Sequence, residues 1–210
     1  MTGIVPVVAV ADPGALERAA TVLRGGGTVV LPTDTVYGLA ALPSFDGATD
    51  ALYRLKGRAA SQPFAVLVAD VDQALGLLDR VDDDVRAWLD RRWPGPLTVV
   101  GRRAPDARHL ELGGASDTIG VRCPAHRFVR ALAAVVGPVA TTSANRSGEP
   151  TPTSAAAAAA ALVGPVDLVV DGGPASTTVA STVVDTVDGA RRILRLGEIS
   201  PAELGLPGDD

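Results

Sequence analysis

Polar side chains collect at a few places in an otherwise apolar chain, and their types suit the handling of anions. Residues 31–40 read LPTDTVYGLA, so Thr33, Asp34, Thr35 and Tyr37 follow a short apolar run. A strand with only a structural task rarely ends in so many hydrogen-bonding groups. Lys56 and Arg58 stand in the sequence KGR at the end of a helical pattern. Residues 141–151, TTSANRSGEPT, carry five hydroxyls and the amide of Asn145. Thr141, Ser143 and Asn145 alternate, which puts all three on one face of an extended segment. Ser181 opens a further polar cluster, STVVD. Arg122 lies within an apolar run, TIGVRCP, four residues after Thr118 and on the same face. A charged residue in such a run is rarely buried unless paired. With no carboxylate beside it in sequence, a ligand carboxylate or phosphate is the expected partner.

Each feature has a plainer reading. Lys56 and Arg58 could decorate a helix C-terminus, where cations gain ~0.3–1 kcal/mol. The alternative is a clamp in which the guanidinium grips bidentately and the ammonium acts as a point charge on a phosphate oxygen. Lys56 is the only lysine among 19 basic residues, and Asn145 is the only asparagine. The 141–151 stretch could be a turn leading into the next helix, capped by Thr153 or Ser154. Capping does not require Thr141, Ser143 and Asn145. Arg195 alternates with apolar neighbours and could face solvent or point inward.

Composition excludes several classes. Net charge is −5 and aromatics are 3% of 210 residues, against a surface that grips nucleic acid or stacks bases. One cysteine, Cys123, allows no internal disulfide, and two distant histidines make a zinc site improbable. The N-terminal stretch reads as a strand, not a secretory signal, and no apolar run approaches the ~18 residues of a membrane span. A cytoplasmic location is the default. Neither a Walker loop nor a G-x-G-x-x-G is present. No nucleophile–histidine set is readable. A site of cations and hydroxyls would act by binding, neutralising and positioning.

The elements that must hold these groups alternate between strands and helices, as expected of an α/β sandwich. Strands are predicted at VPVVAV, TVVLPT, PFAVLVA, LTVVGRR, TIGVRCP, PVATTSA, VDLVVDGG, STVVDTV and RRILRLG. Helices are predicted between them, one starting at Asp46 as N-cap and one built on the alanines 155–161. Parallel pairings are expected in the front half and an antiparallel addition from the last three strands, so the sheet is mixed. Ligands in such sheets gather beyond strand C-terminal ends.

These clusters together resemble the YrdC-type threonylcarbamoyl-adenylate synthases. The family pair K-x-R and S-x-N stands here as Lys56-Gly57-Arg58 and Ser143-Ala144-Asn145. PTDTVYGL at 32–39, WPGPLT at 93–98, TIGVRCP at 118–124 and STVVD at 181–185 follow the family order, and the resemblance covers roughly residues 10 to 200. It implies a single YrdC-like domain: a twisted mixed parallel and antiparallel sheet flanked by helices, with a central cationic cleft. The implied form is the short one, without the extra C-terminal domain of longer members.

The implied reaction joins L-threonine, bicarbonate and ATP into threonylcarbamoyl-AMP and pyrophosphate, for modification of an adenosine beside the anticodon of tRNA. By resemblance Thr33, Tyr37, Arg122, Thr141 and Ser181 would surround threonine. Lys56, Arg58, Ser143 and Asn145 would hold the triphosphate and carbamate. Thr118, Thr151, Arg195 and Ser61 would contact the nucleotide, with Mg2+ bridging phosphates. The product would pass to a tRNA threonylcarbamoyltransferase. Some members carry a histidine where this chain has Leu67, so that contact is not carried over. Any closing of the site would fall to the GRAASQ loop, 57–62. Two alternatives stay open: an RNA-binding paralogue of the same fold without synthase activity, and a carbamoyl-adenylate enzyme like the related domain of hydrogenase-maturation carbamoyltransferases. Arg86, Arg91, Arg92, Arg102, Arg103 and Arg108 could form a patch for weak tRNA contact or simply a solvated surface.

Overall fold

A computed structural model describes residues 5–57, 62–114 and 117–207. Ten strands form one sheet: β1 (Val7–Ala9), β2 (Val29–Leu31), β3 (Gly38–Ala41), β4 (Ala65–Leu67), β5 (Leu97–Arg102), β6 (Thr118–Arg122), β7 (Val139–Ser143), β8 (Leu168–Asp171), β9 (Thr182–Asp185) and β10 (Arg192–Arg195). Their order is β1-β8-β2-β3-β7-β4-β6-β5-β9-β10. The helices are α1 (Ala15–Arg24), α2 (Ala48–Lys56), α3 (Val71–Leu75), α4 (Asp83–Arg92), α5 (Arg127–Val136) and α6 (Ala155–Ala160).

The sheet is mixed, but the pairings differ from expectation. β8 is parallel to both β1 and β2, and β9 is parallel to β5. Of the closing strands only β10 adds antiparallel, against β9. In the front half β2 turns back antiparallel into β3, which was not anticipated as a strand. The sequence GLAA contains glycine and alanines with weak strand preference. Its place between β2 and β7 decides its conformation.

Alternation along the central strands divides two cores. On one face Val66, Val99, Val121 and Ala140 pack with α2, α4 and α6. On the other, Leu67, Val139, Val29 and Leu31 pack under α1 and α5. Both helices bring narrow apolar stripes, Ala15, Ala19 and Leu23 on α1 and Phe128, Val129 and Leu132 on α5. The small alanines of α1 let it lie close on the sheet.

Local caps follow partly from sequence. Ser154 caps α6, its hydroxyl accepting from the Ala157 N–H at 3.2 Å. Asp46 does not cap α2. Gly47 holds that position with φ 72°, and its N–H donates to Glu111 Oε2 at 2.9 Å. A left-handed backbone there favours glycine over aspartate.

Candidate active site

The second face of the sheet is only partly covered. Val139 on β7 lies under α5, but Thr141 and Ser143, two and four residues on and facing the same way, run out from beneath it. Beside them on that face come Ala65 and Leu67 of β4, then Thr118, Gly120 and Arg122 of β6, then Thr98 and Val100 of β5. These residues floor a cleft of about 480 Å³. Thr33, Thr35 and Val36 form one wall, Lys56, Asn145, Ser147 and Gly148 another, and Ala180, Ser181, Val183 and Arg195 a third. Among the described lining residues three are basic and none is a carboxylate.

Lys56 is the last residue of α2 and is only 4% exposed. It is no surface decoration. Its ammonium donates to Ser143 O at 2.7 Å, Asn145 O at 2.9 Å and Asn145 Oδ1 at 3.1 Å, with Ser143 Oγ at 3.3 Å. Its own carbonyl accepts from the Ser147 N–H at 3.1 Å. Asn145 Nδ2 in turn donates to Glu149 O at 2.5 Å. The lone lysine and lone asparagine are therefore joined, and together they shape the 143–149 turn. Gly57, at φ 60°, ends the helix in a left-handed conformation that swings the chain away. A guanidinium could not replace this ammonium: its donors are spread over a planar fork and cannot radiate from one nitrogen to acceptors gathered around it.

Arg122 has a protein partner that sequence reasoning missed. Its Nη2 donates to Asp34 Oδ1 at 2.7 Å, Nη1 to Thr35 Oγ1 at 2.9 Å and Nε to Gly95 O at 3.1 Å. The ion pair is well shielded, with side chains 8% and 15% exposed. The sequence reading expected a ligand carboxylate or phosphate as its partner; the structure adds Asp34, distant in sequence, as a partner within the protein. Burial pushes the guanidinium pKa down and Asp34 opposes it. Two of its five N–H donors remain outside these three bonds.

Arg195 reaches into the cleft and is not simply a solvated strand residue. Its Nη2 donates to Ser181 O at 2.9 Å and Ser181 Oγ at 3.0 Å. Burial, and then the neighbouring Arg122 charge, push its pKa down. Both arginines stay charged at neutral pH. Ser181 Oγ also meets Thr98 Oγ1 at 2.8 Å.

Thr33, Thr118 and Thr141 line the cleft as expected. The Thr33 hydroxyl is spent on its own turn, donating to Val36 O at 2.6 Å. Two expected site residues lie elsewhere. Tyr37 is 1% exposed and is not among the lining residues. Its hydroxyl donates to Gly173 O at 2.5 Å and accepts from the Gly172 N–H at 3.1 Å. Burial pushes the phenol pKa up, against the Gly172 bond, and the Asp171 carboxylate adds to the rise. Tyr37 thus fastens the turn after β8 instead of walling the pocket. Thr151 likewise donates to Thr178 O at 2.9 Å, outside the cleft lining. Arg58 and Ser61, and most of the GRAASQ loop, lie outside the described residues. Leu67 lines the cleft where its border meets α5.

Four of the arginines named for a tRNA patch have partners within the protein. Arg86, Arg92 and Arg102 pair with Asp90, Glu203 and Asp188. Arg103 is buried and donates to Ala107 O at 3.0 Å and to Leu110 O. No helix among the described residues is long and apolar enough to cross a membrane.

The family model of the Sua5, YciO and YrdC proteins, described as telomere recombination, matches residues 21–197. A Mycobacterium leprae protein is 39% identical over 199 residues, 92% of this chain and 90% of that one. The threonylcarbamoyl-AMP synthase of Bacillus subtilis is 36% identical over 190 residues, 90% of this chain and 55% of that one. Among solved structures, Pyrococcus abyssi Sua5 complexed with L-threonine superposes with a TM-score of 0.87 at 33% identity, covering 96% of this chain and 60% of that one. The chain therefore spans nearly all of the mycobacterial relative and somewhat over half of the other two. With the family model matched over most of its length, the chain belongs to the Sua5/YciO/YrdC family.

Proposed function

We propose that this protein is a threonylcarbamoyl-AMP synthase, a nucleotidyltransferase that consumes L-threonine, bicarbonate and ATP and releases pyrophosphate. The observation that carries this reading is the convergence of Thr33, Thr35, Lys56, Ser143, Asn145, Arg122 and Arg195 on one cleft whose described lining residues include no carboxylate. Relatives bearing the synthase name and a Sua5 structure with bound L-threonine support it.

The chemistry needs little from the protein beyond charge and placement. The threonine amine adds to bicarbonate or CO2, forming an N–C bond and a carbamate, with loss of water from bicarbonate. A carbamate oxygen then attacks the α-phosphorus of ATP. The bond from that phosphorus to the bridging oxygen breaks, and pyrophosphate leaves with the electron pair. Negative charge gathers in both steps, so preorganised cations and donors lower the barrier. Arg122 and the hydroxyls of Thr141 and Ser181 hold the amino acid. The 143–149 turn, stiffened by Lys56, receives the phosphates with Arg195, Thr118 and Arg58. Mg2+ would be carried by phosphate oxygens and water, which suits a lining of hydroxyls and amides. The product would pass to a tRNA-modifying transferase, and a cytoplasmic setting fits that role.

The test is pyrophosphate release from Mg-ATP with bicarbonate, with and without L-threonine, for wild type and Lys56→Ala. Release that needs both threonine and bicarbonate, and that falls at least ~100-fold in the variant, is expected. Release indifferent to threonine in the wild type would overturn the reading. Salt-dependent tRNA binding in its place would favour an RNA-binding paralogue.

A further inference from the structure

Thr98 has no role in the reading above, yet it sits in the cleft beside Ser181. It lies on β5 with its side chain on the cleft face, between the core residues Leu97 and Val99. It and Ser181 are each 4% exposed. Their hydroxyl oxygens are 2.8 Å apart, and Arg195 Nη2 lies 3.0 Å from Ser181 Oγ.

The protons of this trio can be counted. A guanidinium N–H only donates, so Ser181 Oγ must accept from Arg195. The two hydroxyls carry two protons, and the bond between them uses one. One hydroxyl proton is therefore left over, and both residues line the cleft. The charged donor on Ser181 makes that hydroxyl the better donor of the two, since successive hydrogen bonds polarise one another. The chain then runs Arg195 N–H to Ser181 Oγ, Ser181 O–H to Thr98 Oγ1, and Thr98 O–H into the cleft. Thr98 Oγ1 makes no other side-chain or backbone bond among the described residues.

We propose that Thr98 is a substrate-contacting residue: its hydroxyl donates to an anionic oxygen of the bound substrate and is aligned for this by Ser181 and Arg195. This rests on the synthase reading only for the identity of the ligand. The acceptor chemistry is an oxyanion, available from the threonine carboxylate or from an ATP phosphate.

The experiment compares wild type with Thr98→Val, which keeps the shape and removes the hydroxyl, and Thr98→Ser, which keeps the hydroxyl and removes the methyl. Dissociation constants for L-threonine and for Mg-ATP are measured separately by calorimetry, alongside circular dichroism. The expected result is a loss of ~10-fold or more in Thr98→Val for one of the two ligands, as for a hydrogen bond to a charged group. Thr98→Ser should stay within ~3-fold of wild type. The weakened ligand identifies the oxyanion. If both ligands bind Thr98→Val as they bind wild type, or if Thr98→Ser is equally impaired, the proposal falls. Should Thr98→Val not fold, Thr98→Cys, with a weak donor of similar bulk, replaces it under the same criteria. A wild type that binds ATP but not threonine would sink the synthase reading while the Thr98 comparison still reads out on ATP. A wild type that binds neither would overturn both.

Discussion

At the scale of single residues, the cations of the site are held by acceptors of the protein before any ligand arrives. Arg122 is held by Asp34, Thr35 and Gly95, so its remaining donors have a set direction. Such an arrangement lowers the entropy lost on binding, because the fork does not have to be frozen by the ligand. Cys123, next in sequence, shows the opposite environment. It is 2% exposed, and burial pushes its thiol up to about 11 from an ordinary value of 9.0, with Arg130 opposing. At pH 8 only about one thiol in a thousand would be ionised in the fold. A disulfide reagent such as Ellman's should leave the native protein unmodified at that pH and label one thiol after unfolding in guanidinium. The sign for stability follows. The unfolded thiol ionises first, so this group's contribution is full below pH ~9, falls as pH rises toward ~11, and levels off beyond. Urea midpoints of wild type and Cys123→Ala should therefore converge or cross between pH 8 and 10.5, with the wild type losing more.

At the scale of elements, the cleft depends on small residues where strands meet. Gly38 on β3 pairs with Ser143 on β7. A Cβ there would lie 2.8 Å from Thr141 Oγ1 and 3.9 Å from Thr33 Cγ2. Gly38→Ala should turn the Thr141 hydroxyl away and raise KM for threonine by ~10-fold. The melting temperature should change little, since a side-chain hydroxyl can rotate. An unchanged KM would show that Thr141 is not part of the threonine site. The same element explains what the sequence hid. GLAA carries no strand pattern, so β3 was missed, yet it supplies the glycine that leaves room for the site. The 143–149 turn was legible as a cluster of polar groups. That its shape comes from a lysine ammonium 87 residues away in sequence was not.

At the scale of the whole molecule, stability and function are drawn from different parts of one sheet face. α1 and α5 cover one portion and the cleft occupies the rest. Leu132 on α5 is fully buried in the covered portion. Leu132→Ala should cost ~2–5 kcal/mol. At ~2–4 °C per kcal/mol for a chain of this size, the melting temperature should fall by roughly 4–20 °C. KM for threonine and ATP should stay near wild type if the two regions are as separate as the packing indicates. A KM shift as large as that from Gly38→Ala would show that α5 braces the cleft through Leu67.

The amino-acid sequence by itself determined the class of fold, the order of most elements and the chemical character of the site. Apolar runs, turn residues and the rare Lys56 and Asn145 are local signals, written in neighbouring positions. The tertiary structure decided which groups are partners. It paired Arg122 with Asp34, placed Tyr37 behind the wall it was expected to form, moved Thr151 onto the Thr178 carbonyl and brought Thr98 against Ser181. The physical reason is common to all four. Each contact joins segments on different strands or loops. A polar side chain meets such a partner only in space, and the buried ones, Arg122, Tyr37 and Thr98, must find one. The partner is set by sheet order and register, which alternation along a single strand does not encode.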